Sequence, residues 1–458
     1  MAAAAIVVTF GALATLGWGF ITAHEGRIRK LTSGGGVLFW RLLLAIAVIV
    51  IAGWIAGRLV ERIGQPRVIG EIFMGILLGP TLFGELAPKV QRGIFMPELM
   101  PYLSGIASVG VAIFMLLIGF EVSFGRLRAA GPAVGMVGVS MIAIPVACGV
   151  LVALLLADRY RPQAAPWSAF LLFIGVAMGV TAFPVLARIL RERGLMESRL
   201  GTLGLISAGV GDLLAWCLLA VTIALARGTS QAGVVRTIAL IAAFTCVAVL
   251  VLRPLLHRFF AIVETRRGGR LAAIGVVLLL GISFAWFTDA AGVHAIFGAF
   301  MAGAILPRDK VVVRHVIRFA TAGVLLALPL FFATVGFRID LNVSSGITDL
   351  LVCLLVIVVA VVSKLAATAL AARAARFGWR DTFGLGVMMN CRGLTELIVL
   401  STGLTLGVIG QNLFAIFVVM TLVTTAMTAP LLGALRLDSA VSEDSGHSDN
   451  RDARQAPA

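Results

Sequence analysis

Charge is scarce in this 458-residue chain: Asp, Glu, Lys and Arg make up 13% of it, against 60% hydrophobic residues. A soluble globular domain carries about 25% charged residues, so a water-soluble enzyme is excluded. Cysteine is sparse too. Cys148, Cys217, Cys246, Cys353 and Cys391 all lie inside apolar segments; they read as small core fillers, and no disulfide framework is expected. The histidines (His24, His257, His294, His315, His447) lack metal-ligand spacing with Cys or Glu, and no nucleophile–base set stands out. No cofactor and no enzymatic chemistry are therefore expected. Strict apolar–polar alternation is also missing, which argues against transmembrane strands.

What charge there is carries a sign. The formal net charge is +15, and the basic residues gather in short gaps between apolar runs: Arg58/Arg62/Arg67, Arg191/Arg193/Arg199, Arg258/Arg266/Arg267/Arg270 and Arg308/Lys310/Arg314/Arg318. In a soluble chain such a balance would suggest nucleic acid. Here it reads as cytoplasmic loops under the positive-inside rule, with no nucleic-acid partner.

Apolar runs of membrane-spanning length recur from end to end, at 4–22, 37–57, 68–87, 102–121, 132–157, 167–190, 199–226, 234–253, 270–290, 293–306, 318–338, 348–372, 382–407 and 411–434. The expectation is an all-α polytopic membrane protein with about 13–14 transmembrane helices. Loops ending near 67, 131, 199, 270, 318 and 381 hold most of the Lys and Arg, which puts them, and the C-terminus, on the cytoplasmic side. Residues 1–36 read as an extra N-terminal apolar helix with a basic loop; a cleaved signal ending at Ala23 is the alternative, against which stands the missing basic N-terminal region. Residues 37–436 form the transmembrane domain, and 437–458 read as a disordered cytoplasmic tail.

The chain also repeats itself. IFMGILLGP (72–80) is similar to AFMAGAILP (299–307), IFMLLIGFEVSF (113–124) to LFFATVGFRIDL (330–341), and GVAMGVTAFP (175–184) to GVMMNCRGLT (386–395), in the same order and at similar spacing. The flanking loops give the two copies opposite orientations. That predicts an inverted repeat, with copies at about 68–226 and 293–434, of the kind that secondary transporters rock around a midplane site.

Ionisable groups at mid-bilayer cost at least ~2.5 kcal/mol each, so those present mark function or a structural pair. Deep in the spans lie Asp212, Lys364, Arg392 and Glu396. A carboxylate in low dielectric beside a cation is poised between its protonated and ionised forms. Asp212 can then hold a proton or a monovalent cation but not both, and Lys364 is the natural partner that an arriving cation displaces. The bland readings are an Asp held permanently by a Lys or Arg, and a Lys364 that snorkels to the interface. Gly209 and Gly211 beside Asp212 suggest an accessible backbone, with Gly211 expected as a helix break and Asn390 as a support of the charged site. Arg392 and Glu396 are four residues apart and share a helix face, which reads first as a closed ion pair and second as Arg392 orienting the site.

Two interruptions occupy matching places in the repeats. Asn390 and Gly393 make 390–393 a poor helix interior, and Pro184 follows Thr181-Ala182-Phe183. Pro184 alone would be a kink. Paired with the Asn–Gly interruption, it predicts two broken helices exposing backbone dipoles at midplane.

GQPRVIGEIFMGILLGPTLFG (64–84), GVTAFPVLARIL (179–190), VGDLLAW (210–216), GVHAIFGAFMAGAILPRD (292–309), LPLFFATVGFRIDL (328–341), Lys364 and MMNCRGLTELIVL (388–400) closely resemble the monovalent cation/proton antiporter superfamily, in particular its second branch of plant cation/proton exchangers and bacterial sodium or potassium/proton antiporters. The resemblance runs from about 37 to 434. It implies a core domain in which broken helices 167–190 and 382–407 cross, a separate dimerisation domain and a homodimer in the bilayer. It places the family's ion-binding aspartate at Asp212 and its membrane-embedded basic residue at Lys364. Arg392 and Glu396 fall on the following helix, and Thr181 and Ser207 become plausible oxygen ligands.

One departure bears on stoichiometry. The family usually shows Asn-Asp or Asp-Asp at the site, and this chain has Gly211-Asp212. A single titrating acid implies one cation per proton, without net charge movement while Lys364 stays protonated. The expected function is exchange of Na⁺ or K⁺ for H⁺ across a bacterial-type inner membrane by competition at Asp212 and alternating access. The rivals are a potassium efflux channel-like protein and, if Gly211 enlarges the site, a repurposed exporter of an organic cation or metabolite.

Overall fold

The computed structural model describes residues 35–79, 82–121, 131–196, 198–228, 231–264, 269–291, 295–308, 318–337 and 346–435. The first apolar run, Ala23, and the tail at 437–458 lie outside the described residues. Every described element is helical: α1 Gly35–Glu61, α2 Arg67–Leu78, α3 Met100–Glu121, α4 Gly131–Tyr160, α5 Trp167–Gly179, α6 Phe183–Glu192, α7 Arg199–Ala226, α8 Gln231–Val247, α9 Arg253–Glu264, α10 Gly269–Ala290, α11 Ala295–Ile305, α12 Arg318–Gly336, α13 Ile347–Ala374, α14 Trp379–Met389, α15 Leu394–Thr405 and α16 Gln411–Ala434, with short turns of helix between α2 and α3 and a π-helical turn, Ala248–Leu252, joining α8 to α9. Each predicted run after the first coincides with one or two of these helices.

Among the described residues nine helices are long and apolar enough to cross a membrane, or ten if the bent pair α14 and α15 counts as one span. This is fewer than the 13–14 expected. The first run is not described. The run at 167–190 is split by a break into α5 and α6, the helix within 293–306 has only 11 residues, and within 318–338 only Ala327–Gly336 counts as a shorter apolar helix.

The chain divides into two compact units. The first comprises residues up to 63, 67–122 and 230–345; the second comprises 64–66, 123–229 and 346 onward. Each unit is assembled from segments related by the internal repeat.

In the first unit α2 packs on α1 and α12, and α3 packs on α11 and α12. The repeat equates α2 with α11 and α3 with α12, so the α2–α12 and α3–α11 contacts are the same contact made twice. Both depend on glycine. A Cβ at Gly75 or Gly336 would drive into the opposing backbone of α12 or α2, and one at Gly119 or Gly303 into that of α11 or α3. Without water to drive association, close backbone approach at small residues is what joins membrane helices.

In the second unit the long helices α4 and α13, and likewise α7 and α16, stand at repeat-equivalent places around the broken pairs α5/α6 and α14/α15. Helix α4 packs against α5, α7 and α13; α7 also touches α5, α6 and α14. Ser198 caps α7, its hydroxyl accepting the Gly201 amide at 3.0 Å, which satisfies one of the helix's orphan donors. At their ends α4 and α13 are tied by Tyr160, whose hydroxyl donates to Asp349, with Arg159 3.6 Å from the same carboxylate.

Candidate ion-binding site

The site is built by the two breaks in the second unit. Helix α5 stops at Gly179, Val180 and Ala182 are extended, and α6 begins at Phe183. Pro184 is therefore not a mid-helix kink. It lies in the first turn of α6, where its missing N–H belongs to a group that would be orphaned anyway. Helix α14 stops at Met389 with Asn390 as its C-cap, and α15 begins at Leu394, turned by 42°. Gly393, just before α15, has φ 153°, and a Cβ there would lie 2.8 Å from the Val185 side chain. Both facts require glycine at this position.

The extended segments run side by side, the Ala182 amide donating to the Cys391 carbonyl at 3.0 Å. Each break leaves unpaired carbonyls at the end of the preceding half-helix and unpaired N–H groups at the start of the next. The polar side chains found by depth are distributed over these ends.

The carbonyl ends meet the cations. Arg392 donates to the carbonyls of Ala177 (2.7 Å) and Met178 (2.6 Å) at the end of α5 and to Glu396 at 2.9 Å, with both side chains fully buried. The ion pair and the orienting role thus coexist in one side chain. Lys364, fully buried, donates to the Gly179 carbonyl, to the Met141 carbonyl at 3.1 Å and to the Thr181 hydroxyl at 2.5 Å. Snorkelling to the interface is overturned: its ammonium is enclosed by protein oxygens. The expected direct pair with Asp212 is also absent. Lys364 acts on Asp212 only through its charge, because the break after α5 supplies two acceptors, the Gly179 carbonyl and the Thr181 hydroxyl, and α4 supplies a third, the Met141 carbonyl.

The amide ends meet the acid. Asp212, midway along α7, is 0% exposed, and neither carboxylate oxygen has a hydrogen-bond partner. The polar groups that favour its charge without meeting hydrogen-bond geometry are the backbone N–H of Phe183, first residue of α6, and the hydroxyl of Thr395, second residue of α15. A negative charge at two half-helix N-termini is favoured by the helix dipole.

Thr181 and Ser207 fit their expected roles less well. Thr181 hands its proton to the Met389 carbonyl at 3.0 Å and receives one from Lys364, so it supports the lysine. Ser207 is buried on α7, but five residues before Asp212 the helical phase turns it about 140° away. Gly211 breaks no helix, since α7 runs without interruption from Arg199 to Ala226, and it does not open the site. A Cβ there would collide with the terminal methyl of Met141, which fills the place of the absent side chain. Among the described residues no group of three or more His, Cys, Asp or Glu could hold a metal ion together.

The family model described as "Sodium/hydrogen exchanger, transmembrane" matches residues 44–434. The chain belongs to this sodium/hydrogen exchanger family. It is 36% identical over 402 residues to the Na(+)/H(+) antiporter NhaS4 of Synechocystis sp., a match covering 85% of this chain and 96% of that one. It is 33% identical over 387 residues to the K(+)/H(+) antiporter 1 of Saccharomyces cerevisiae, covering 82% of this chain and 44% of the yeast protein. The chain thus spans about half the length of the yeast relative, and 49% of the Cation/H(+) antiporter 19 of Arabidopsis thaliana. The sodium proton antiporter MjNhaP1 from Methanocaldococcus jannaschii shares the fold, with a TM-score of 0.63 at 15% identity over 86% of this chain and 97% of that one.

For this exchanger-family chain, sequence reasoning missed Thr395 and Thr425. The Thr425 hydroxyl, on α16, donates to the Arg392 carbonyl at 2.7 Å and accepts the Arg392 amide at 3.0 Å. One side chain closes both backbone groups of the residue in the break. Threonine is common in apolar helices, so neither position carries a signal without the helix start or the break beside it.

Proposed function

We propose that this multi-pass membrane protein exchanges a monovalent cation, Na⁺ or K⁺, for H⁺ by competition at Asp212 and alternating access. One observation carries the reading. A fully buried carboxylate stands with both oxygens unpartnered, while the nearby lysine is engaged elsewhere. A buried acceptor left unmade costs about 1–3 kcal/mol, more for a charged group. A proton or a cation at Asp212 removes that penalty, and the two cannot be held together. The names of the relatives, Na(+)/H(+) and K(+)/H(+) antiporters, support the same reading.

The exchange is electroneutral, one cation per proton. Lys364 faces three acceptors, and the Thr181 hydroxyl must be one of them because its own proton is given to Met389. A lysine that donates three hydrogen bonds is an ammonium. With Lys364⁺, Arg392⁺ and Glu396⁻ constant, protonated Asp212 and cation-loaded Asp212 leave the same net charge in the membrane. Reading the chain as a carrier in an inner membrane, with a cytoplasmic C-terminus and as a homodimer, follows the loop charges and the family. The organic-substrate alternative rested on space at Gly211, and Met141 occupies that space.

The test is dequenching of a pH probe in proteoliposomes on addition of Na⁺, K⁺ or Li⁺. Wild type dequenches and Asp212→Asn does not. A response unchanged in Asp212→Asn removes the mechanism, and cation flux without proton movement would favour the channel-like alternative.

A further inference from the structure

Thr395 differs from four threonines on its own helix and on α16. Thr402, Thr421, Thr424 and Thr428 each donate to the carbonyl four residues earlier in their own helix, at 2.8, 2.8, 2.8 and 3.1 Å. This is the usual way a hydroxyl is satisfied in an apolar helix. Thr395 does not do so. It is the second residue of α15, and the carbonyl four residues back belongs to Cys391, in the break, outside the helix that would align it with the hydroxyl; that carbonyl accepts the Ala182 amide at 3.0 Å.

The Thr395 hydroxyl is consequently buried, with the residue only 1% exposed, and has no hydrogen-bond partner. It acts instead on the Asp212 carboxylate, both of whose oxygens are also unpartnered. Three unsatisfied oxygens from two helices thus belong to one buried spot. Unsatisfied buried polar atoms in a folded protein call for an absent partner. The unsatisfied atoms are all oxygens, one neutral and two of an anionic group, which matches the ligand preference of a hard cation; the Phe183 N–H beside them favours the ionised carboxylate that such a cation needs. A hydroxyl also suits both states of an exchanger: it offers a lone pair to a metal ion or accepts the O–H of a protonated carboxyl.

We infer that the Thr395 hydroxyl is a ligand of the transported monovalent cation, bound together with the Asp212 carboxylate, and so helps to set which cation is taken. This rests on the exchange mechanism proposed above. It differs from the expectation that Thr181 supplies the neutral oxygen, because Thr181 is committed to Lys364 and Met389.

The experiment compares Thr395→Val, Thr395→Ala, Thr395→Ser and Asp212→Asn in proteoliposomes, reading KM and kcat for Na⁺ and for K⁺ at one pH by dequenching, together with the cation-induced rise of melting temperature in detergent. Thr395→Val and Thr395→Ala are expected to raise KM by about tenfold, to change kcat less, to alter the ratio of KM for Na⁺ to that for K⁺, and to erase the cation-induced thermal shift. Thr395→Ser restores all of these, which a loss of packing would not allow. A wild-type KM and a wild-type thermal shift in either Thr395→Val or Thr395→Ala overturn the inference. If those appear while Asp212→Asn is inactive, only the role of Thr395 falls; an active Asp212→Asn sinks the exchange mechanism itself.

Discussion

Thr181 and Arg392 occupy the same place in the two halves of the repeat, and each reaches across to cap the half-helix of the other copy. The Thr181 hydroxyl donates to the carbonyl of Met389, and the Arg392 guanidinium donates to the carbonyl of Met178, the residue that the repeat equates with Met389. The interlock is symmetric in backbone and asymmetric in charge. Thr181 is neutral and leaves room for Lys364 at the end of α5, while Arg392 brings its own cation and pairs with Glu396. Two cations thus converge on one half-helix C-terminus, where the helix dipole favours them, and Asp212 is left to the opposite ends.

Competition at a single carboxylate fixes the sign of the pH dependence. As pH falls, protons occupy a growing share of Asp212 and the apparent KM for the cation rises. Saturating cation restores the rate, because both ions vie for one group. Initial rates of dequenching across pH at graded Na⁺ or K⁺ check this. A maximal rate that falls with pH while KM stays fixed would mean the proton binds elsewhere.

Thr425→Val removes the hydroxyl that serves both the amide and the carbonyl of Arg392 in a buried break. Two orphaned backbone groups cost about 1–3 kcal/mol each. The melting temperature in detergent should drop and the transport rate with it, and Thr425→Ser should restore both, since serine keeps the donor and the acceptor. Equal stability of the valine variant would show that the break closes its own hydrogen bonds.

Much of this arrangement is legible before any coordinates. The apolar runs locate the helices because a bilayer tolerates no other backbone state that is lipid-exposed and unclosed. Asp212, Lys364, Arg392 and Glu396 stand out because charge at that depth is costly, and the structure buries all four completely. The repeat pairs Thr181 with Arg392 directly. What stays hidden is the partner of each group. Lys364 is expected at Asp212 because sequence displays side chains, whereas two of its acceptors are backbone carbonyls: that of Gly179, released when α5 ends, and that of Met141, left free in α4 because Pro145 four residues on has no N–H. Thr395 and Thr425 are missed because a threonine's role depends on what a break places beside its hydroxyl: the backbone of Arg392 for Thr425, and a helix start without a carbonyl one turn earlier in the same helix for Thr395.

Gly211→Asn would install the side chain usual at this place in the family. A Cβ at Gly211 collides with the far end of Met141, a flexible group, so the neighbour can shift at modest cost. The single variant should lose stability, and the double variant Gly211→Asn/Met141→Ala should recover part of it. The Met141 carbonyl that holds Lys364 is backbone and survives the truncation. A double variant no better than the single one would show that Met141 is not what fills the gap.

Lys364 decides whether exchange moves net charge. On the exchange mechanism proposed above, its three acceptors, the carbonyls of Met141 and Gly179 and the Thr181 hydroxyl, keep it an ammonium in both loaded states. A valinomycin-clamped potential should therefore leave the wild-type rate unchanged. Lys364→Gln can donate only two hydrogen bonds, so at least one buried acceptor is orphaned at about 1–3 kcal/mol, and the positive charge near Asp212 is lost. With less competition from a neighbouring cation, the metal ion is held more tightly: KM should fall, the melting temperature should fall, and turnover should slow because release becomes harder. Exchange that remains insensitive to potential in this variant is also expected, since a constant neutral glutamine replaces a constant positive lysine and neither contributes to the difference between the two loaded states. A wild-type rate that responds to the clamped potential would mean that Lys364 gives up its proton during the cycle, and the one-for-one stoichiometry would fail with it.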